Sequence, residues 1–230
     1  VIAQAQQYPP AGMLGPAAIA RWSLATQTDA VAVEGLEHVP PTGPALLIAH
    51  HYHHLLDGAV LIRHIPRPVH IVVALDWTAN PRQRRWMERA CGWAHWPVIL
   101  RATTLDDRSA YEKSELLRYL RAGLRDAAAL LNAGRLVTIF PEGYPVIDPT
   151  ASPRTPQARD ASGFLPFADG FRTILTLAHR TYPAPIPLIP IGFAYARKKN
   201  RWTITARIGK PLAESTPTTA LEETIKALSR

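Results

Sequence analysis

Seven apolar runs of five to ten residues constrain the fold of this chain more than any other feature: VAVEG (31–35), ALLIA (45–49), HIVVAL (70–75), PVILR (97–101), RLVTIF (135–140), PLIPIGFAYA (187–196) and WTITARIG (202–209). Longer amphipathic stretches fill most of the gaps between them. That alternation is the pattern of an α/β domain with a largely parallel sheet. The expected architecture is a single α/β domain with a mostly parallel central sheet of about seven strands flanked by helices. A chain of 230 residues, 47% of them hydrophobic, is long enough to bury such a core.

The clearest helix is expected from Ser109, where Glu112 completes a capping box, to about Asn132, before Ala133 and Gly134 end it. Thr219 and Glu222 repeat the capping signature for a C-terminal helix. Residues 144–163, YPVIDPTASPRTPQARDASG, carry no period and are rich in Pro, Ser, Thr and Arg, as expected of a long loop. No internal repeat is visible.

The chain carries 26 Lys plus Arg against 18 Asp plus Glu, a formal net charge of +8, which favours an anionic partner such as lipid headgroups or a phosphorylated substrate. RNP-like and finger motifs are absent, which weighs against nucleic acid. The single cysteine, Cys91, excludes an intrachain disulfide and a zinc site built from several thiolates, and is expected to be a small buried residue. No apolar run is long enough to cross a bilayer, and VIAQAQQYPPAG lacks the basic start and apolar core of a secretory signal. The expected location is therefore cytoplasmic, at the inner face of the membrane.

Chemistry concentrates in IAHHYHHLLDGAVL (48–61), which puts four histidines within five positions. Three readings compete. The first is a metal site of a metal-dependent hydrolase. His51 and His53 begin a His-x-His pattern, but Leu55 and Leu56 stand where an acid and a third histidine would follow, and HExxH is absent. The second is a structural cluster in a module that binds anionic lipid without catalysis. The third is a histidine base oriented by a carboxylate, which needs only one residue of each kind. Here two pairings are open. His53 and Asp57 are four apart and share a face of one helix. His51 and Asp57 are six apart, roughly 240° around an ideal helix, so they meet only if His51 lies in the turn after ALLIA and Asp57 in the next helix. The second arrangement suits a base better, because chemistry in parallel α/β sheets sits beyond the carboxyl ends of strands.

RLVTIF runs directly into Phe140-Pro141-Glu142-Gly143, a second motif at the carboxyl end of a predicted strand. Taken alone, it is an ordinary turn with Pro fixing φ and Gly supplying a permissive backbone. The two motifs together, about 85 residues apart, resemble the PlsC-type glycerolipid acyltransferase family over roughly 31–209. The similarity begins in VEGLEHVPPTGPALLIAHH and continues through GWAHWPVILR, which supplies Arg101, and then FPEG. It extends through FLPFADGFRTILTLA and PLIPIGF, which supplies Pro190.

By that resemblance the chain moves a fatty acyl group from an acyl thioester, acyl-CoA or acyl carrier protein, to a hydroxyl of a glycerolipid acceptor such as lysophosphatidate or glycerol 3-phosphate. It implies His51 as general base and Asp57 as its orienting partner. Arg101, Phe140, Pro141, Glu142, Gly143 and Pro190 become substrate-binding residues, with Arg101, Glu142 and Gly143 on the acceptor's phosphate. No cofactor or metal is implied, and backbone N–H groups near His51 or Gly143 are candidates for the oxyanion. Departures are visible. The commoner spacing of four residues between His and Asp would place Tyr52 as the base, so this chain follows members with one extra residue. His50 stands where Asn is frequent, and Tyr144-Pro145 replaces the Thr-Arg-Ser that often follows FPEG.

Residues 1–30 are expected to form an N-terminal helical segment, a candidate for membrane docking, and 31–230 the acyltransferase domain. A second candidate for contact with an anionic membrane is RQRRWMERACGW (82–93). There Arg82, Arg85 and Arg89 lie on one side of a helix and Trp86, Ala90 and Trp93 on another. The competing expectation is that this apolar side faces the core.

Overall fold

All seven apolar runs form strands, within a chain order that alternates them with helices. The computed structural model describes residues 14–101, 109–147, 159–161 and 163–230. Helix α1 (Leu14–Gln27) runs directly into β1 (Thr28–Glu34), followed by β2 (Ala45–Ala49), α2 (Leu56–His64), β3 (Val69–Ile71) and β4 (Val73–Ala74). Next come α3 (Pro81–Ala94), β5 (Val98–Ile99), α4 (Leu116–Asn132) and β6 (Leu136–Ile139). The chain closes with α5 (Gly170–Ala178), β7 (Leu188–Lys198), β8 (Arg201–Ile208) and α6 (Thr218–Leu228). Residues 1–13 of the N-terminal segment, and most of the expected 144–163 loop (148–158 and 162), lie outside the described residues.

Six strands form one sheet in the order β1-β8-β7-β2-β6-β3, parallel except for the β7–β8 pair. β2 and β6 are neighbours in its interior. Every residue of both is buried, because helices cover the sheet on both faces. Ala45, Leu47 and Ala49 turn to a core completed by α1 and α2. Leu46 and Ile48 turn to a core completed by α4, α5 and α6. Pro190 lies in β7 opposite Ile48 and is buried in the sheet. Its missing N–H does not interrupt the ladder with β2, which uses the carbonyls of Pro187 and Ile191 on that side.

The HIVVAL run divides. Val72 still donates to Thr138 of the central sheet, but Val73 donates to Pro97, so the chain leaves β6 and β4 pairs with β5 in a separate two-stranded ribbon. α4 closes over that ribbon at Gly123, where a methyl would strike the Val98 carbonyl. Cys91 of α3 is buried nearby, and burial, then the Glu88 charge, pushes its thiol up to about 11.

Both expected helix starts are displaced. Ser109 donates to the Asp76 carbonyl and accepts from Tyr111 instead of opening a helix. The capping box forms three residues later between Glu112 and Glu115, at a 3-10 turn leading into α4. In α6, helix begins at Thr218 after Pro217, and Glu222 pairs with Lys226 rather than reaching back to cap. Ser109 and Glu222 thus bond partners other than the backbone N–H groups that capping would use.

Candidate active site

β2 ends at Ala49, and the alternation of its side chains carries on into the two residues beyond it. His50 therefore turns to the α5 side, where its ring stacks on Phe164 at 3.9 Å. His51 turns to the α2 side, where its ring stacks on Phe140 at 4.3 Å. Two adjacent histidines are thus sent to opposite sides of the sheet's carboxyl rim.

His51 meets Asp57, the second residue of α2, with Nδ1 3.0 Å from Oδ2. The carboxylate is fully buried, while the His51 side chain keeps 15% of its exposure. Asp57 Oδ2 also accepts from the His53 N–H at 2.9 Å, and Oδ1 accepts from the Tyr195 hydroxyl at 2.5 Å. Three donors and the first turn of a helix converge on this buried carboxylate. With Nδ1 donating to Asp57, the proton-accepting nitrogen of His51 is Nε2, which has no partner among the described residues.

His53 does different work. Its ring Nδ1 accepts from the N–H groups of Leu55 and Leu56 at 3.3 Å each, which caps the start of α2. The structure therefore brings the His51 ring, not the His53 ring, to Asp57. Among the described residues no group of three or more His, Cys, Asp or Glu converges as metal ligands.

The FPEG segment is a tight turn. Phe140 O accepts from Gly143 N–H at 3.0 Å, and Gly143 takes φ 72, the left-handed region that glycine enters without strain. Glu142 points inward. Its Oε1 lies 2.6 Å from His50 Nδ1 and accepts the His51 backbone N–H at 2.9 Å. Its Oε2 accepts from Leu165 N–H at 3.1 Å and Arg159 at 3.4 Å. Arg159 also donates to the carbonyls of Tyr144, Pro145 and Gly163, so it ties together the described ends of the 144–163 segment.

Arg101 follows β5 and forks onto Asp76, with bonds of 2.7–3.1 Å. It also donates to the Gly143 carbonyl and lies over the Tyr144 ring at 4.1 Å. The expected site residues thus sort into two groups. His51, Asp57, Phe140, Pro141, Glu142, Gly143 and Arg101 gather at one rim through these contacts, whereas Pro190 sits inside the sheet, beside Gly209. Of the backbone N–H groups in the region expected to hold the oxyanion, those of His51 and Gly143 themselves are bonded to Glu142 and Phe140.

Tyr195, Asp76 and Arg159 were not singled out from the sequence. The signal for Tyr195 was its place in PLIPIGFAYA. Ile189, Ile191 and Phe193 face the α2 core, and a period of two puts Tyr195 on the same face. Asp76 follows HIVVAL directly, an acid at the carboxyl end of a strand.

A sheet of this topology with a His–Asp pair and an FPEG turn at one rim defines the class of protein. Residues 30–194 match the family model described as Acyltransferase, so the chain belongs to the Acyltransferase family and is an acyltransferase. Among solved structures it is similar to the 1-acyl-sn-glycerophosphate (LPA) acyltransferase PlsC from Thermotoga maritima. The TM-score is 0.58 at 16% identity, over 94% of this chain and 77% of the other, a likeness of fold. Comparison with curated proteins gives no match.

Proposed function

We propose that the chain transfers a fatty acyl group from an acyl thioester, acyl-CoA or acyl carrier protein, to a hydroxyl of a phosphorylated glycerolipid acceptor such as lysophosphatidate or glycerol 3-phosphate. The observation that carries this reading is the His51–Asp57 pair at 3.0 Å, with a buried carboxylate and a partly open imidazole. His51 Nε2 takes the proton of the acceptor hydroxyl as its oxygen attacks the thioester carbonyl, and Asp57 stabilises the imidazolium. The tetrahedral intermediate collapses with cleavage of the C–S bond, and the thiolate recovers the proton from His51. No covalent enzyme intermediate forms.

A phosphorylated acceptor is supported by the net charge of +8 and by Arg101, whose guanidinium is held beside the turn that packs on His51. It is also the class of substrate that the name of the Thermotoga protein gives for that enzyme.

The site works at a lipid surface in this reading. Trp86 and Trp93 of α3 are 62% and 51% exposed, and Trp22 and Ile19 of α1 are 65% and 53% exposed. The two helices touch where the Trp93 ring covers Gly15. Arg82, Arg85 and Arg89 are exposed on the same helix as Trp86 and Trp93, a combination that suits the interface of an anionic bilayer. No helix among the described residues is long and apolar enough to cross a membrane.

The test is thiol release from a panel of acyl-CoA and acyl carrier protein donors, with and without glycerol 3-phosphate and lysophosphatidate. Acceptor-dependent release that disappears in His51→Ala is expected; release that is indifferent to acceptor, or retained in that variant, overturns the reading. Co-sedimentation with vesicles tests the surface. Binding is expected to rise with anionic lipid and to fall in a Trp86→Ser/Trp93→Ser variant.

A further inference from the structure

The geometry points to Tyr195 as a positioning residue for the His51–Asp57 pair: its hydroxyl fixes the carboxylate from the side opposite the imidazole and draws off part of the charge that Asp57 presents to His51. The inference rests on His51 being the base and adds what sets the strength of that base.

Tyr195 is the fourth member of an alternating row on β7, after Ile189, Ile191 and Phe193, all facing the α2 core. Phe193 shows that packing in this row needs no hydroxyl. At Tyr195 the ring is already held by its neighbours: it stacks on Tyr52 at 4.3 Å and meets Trp202 edge-on at 5.6 Å. What the hydroxyl adds is a 2.5 Å bond to Asp57 Oδ1, within the short range of a hydroxyl donating to a carboxylate. The other oxygen serves His51 and the His53 N–H, so Asp57 is held from three sides and cannot turn away from the imidazole.

The direction of donation is fixed. Burial, followed by the Asp57 charge, raises the Tyr195 phenol well above its ordinary value, so it stays protonated and acts as donor throughout the working pH range. A carboxylate that shares its charge with a phenol stabilises a neighbouring imidazolium less than one that does not. Tyr195 therefore limits how strongly Asp57 stabilises the imidazolium that forms on His51 during the reaction. The other titratable groups around the pair are Tyr52 and His53 in the turn and Glu142, which holds the His51 N–H and the His50 ring. From β8 comes Trp202, with the Arg197 guanidinium 5.2 Å from that ring.

The decisive measurement is an NMR titration of the His51 imidazole in the parent chain and in Tyr195→Phe, with the His51 signal identified by its loss in His51→Ala. The variant keeps the ring and its stacking and removes only the donor. The His51 midpoint is expected to rise by roughly half a pH unit or more, the scale on which one neighbouring hydrogen bond acts. Trp202→Phe, which contacts the same ring without touching Asp57, is expected to leave the midpoint in place. A midpoint in Tyr195→Phe that stays or falls, or one that rises equally in Trp202→Phe, overturns the assignment. The midpoint decides the role of Tyr195 whatever the acyl-transfer assay shows, and loss of turnover in His51→Ala decides separately whether His51 is the base.

Discussion

His50 and His51 are adjacent in the chain and each directs Nδ1 at a buried carboxylate, yet only one of the imidazoles is open to solvent. The His50–Glu142 pair is sealed, with 3% and 0% side-chain exposure and a separation of 2.6 Å. The His51–Asp57 pair is open on the imidazole side, at 15%, with a separation of 3.0 Å. One step of strand alternation separates them. The sealed pair also steadies the open one, because the carboxylate that binds the His50 ring binds the His51 backbone N–H as well. Chemical identity does not decide which histidine is open to solvent; the side of the sheet does.

The sharpest way to break this comparison is to remove the open imidazole. His51→Ala is expected to lower kcat by roughly 10²- to 10⁴-fold, the usual contribution of a general base. Its melting temperature should fall as well, since Asp57 loses a donor and Phe140 its stacked ring, so turnover is compared on folded protein. A folded His51→Ala protein with near-parental turnover would reverse the roles of the two pairs.

Next in size is Glu142→Gln. Both carboxylate oxygens face donors only: His50 and the His51 N–H on one, Leu165 N–H and Arg159 on the other. An amide turns its own N–H₂ against one of these sets. Breaking a buried pair of this kind costs about 3–5 kcal/mol, to be read from urea unfolding. Turnover should also fall, because the His51 backbone loses its anchor. His50→Asn, which keeps a donor in the same cavity, should cost only about 1–2 kcal/mol and leave kcat within about tenfold of the parent. If His50→Asn matched His51→Ala in kcat at full stability, the sealed pair would have to be reactive.

Much of this arrangement was legible beforehand, and the residues show why some was not. Runs such as ALLIA and RLVTIF announce their strands because a buried parallel strand has no polar face to hide the signal. The six-residue gap from His51 to Asp57 already required a turn followed by a helix. Glu142 was different: its contacts come from residues 91 and 92 positions earlier and 17 and 23 positions later, and no local pattern distinguishes an inward carboxylate from a solvated one. Tyr195 lies 138 positions from Asp57, so their contact exists only through the placement of β7 beside β2. Ser109 failed for the opposite reason, since its local capping signature was intact and its hydroxyl instead donates to the Asp76 carbonyl, 33 positions earlier in the connection after β4.

A third histidine–carboxylate pair calibrates the other two and gives the smallest expected effect. His179 lies 2.6 Å from Glu214 through Nε2, and its Nδ1 bonds the Tyr182 carbonyl at 2.9 Å. Because Nδ1 is the donor to a carbonyl, Nε2 can give a hydrogen to Glu214 only when the ring is charged. The Tyr182 carbonyl, then Glu214, accordingly raises its pKa above 6.5. A raised value in the folded state means that the pair stabilises the fold fully below pH 6.5 and that the gain disappears as pH rises through the higher folded value. The side chains are 32% and 23% exposed, so solvent screens most of the attraction. His179→Gln should lower the melting temperature by no more than about 2 °C at pH 6, as expected of a weak surface pair in a chain this long, and by less at pH 8.5. Acyl transfer should not change at either pH. A pH-dependent loss of turnover in this variant would mean that a surface pair communicates with the rim, and exposure alone would no longer separate structural histidines from the proposed base.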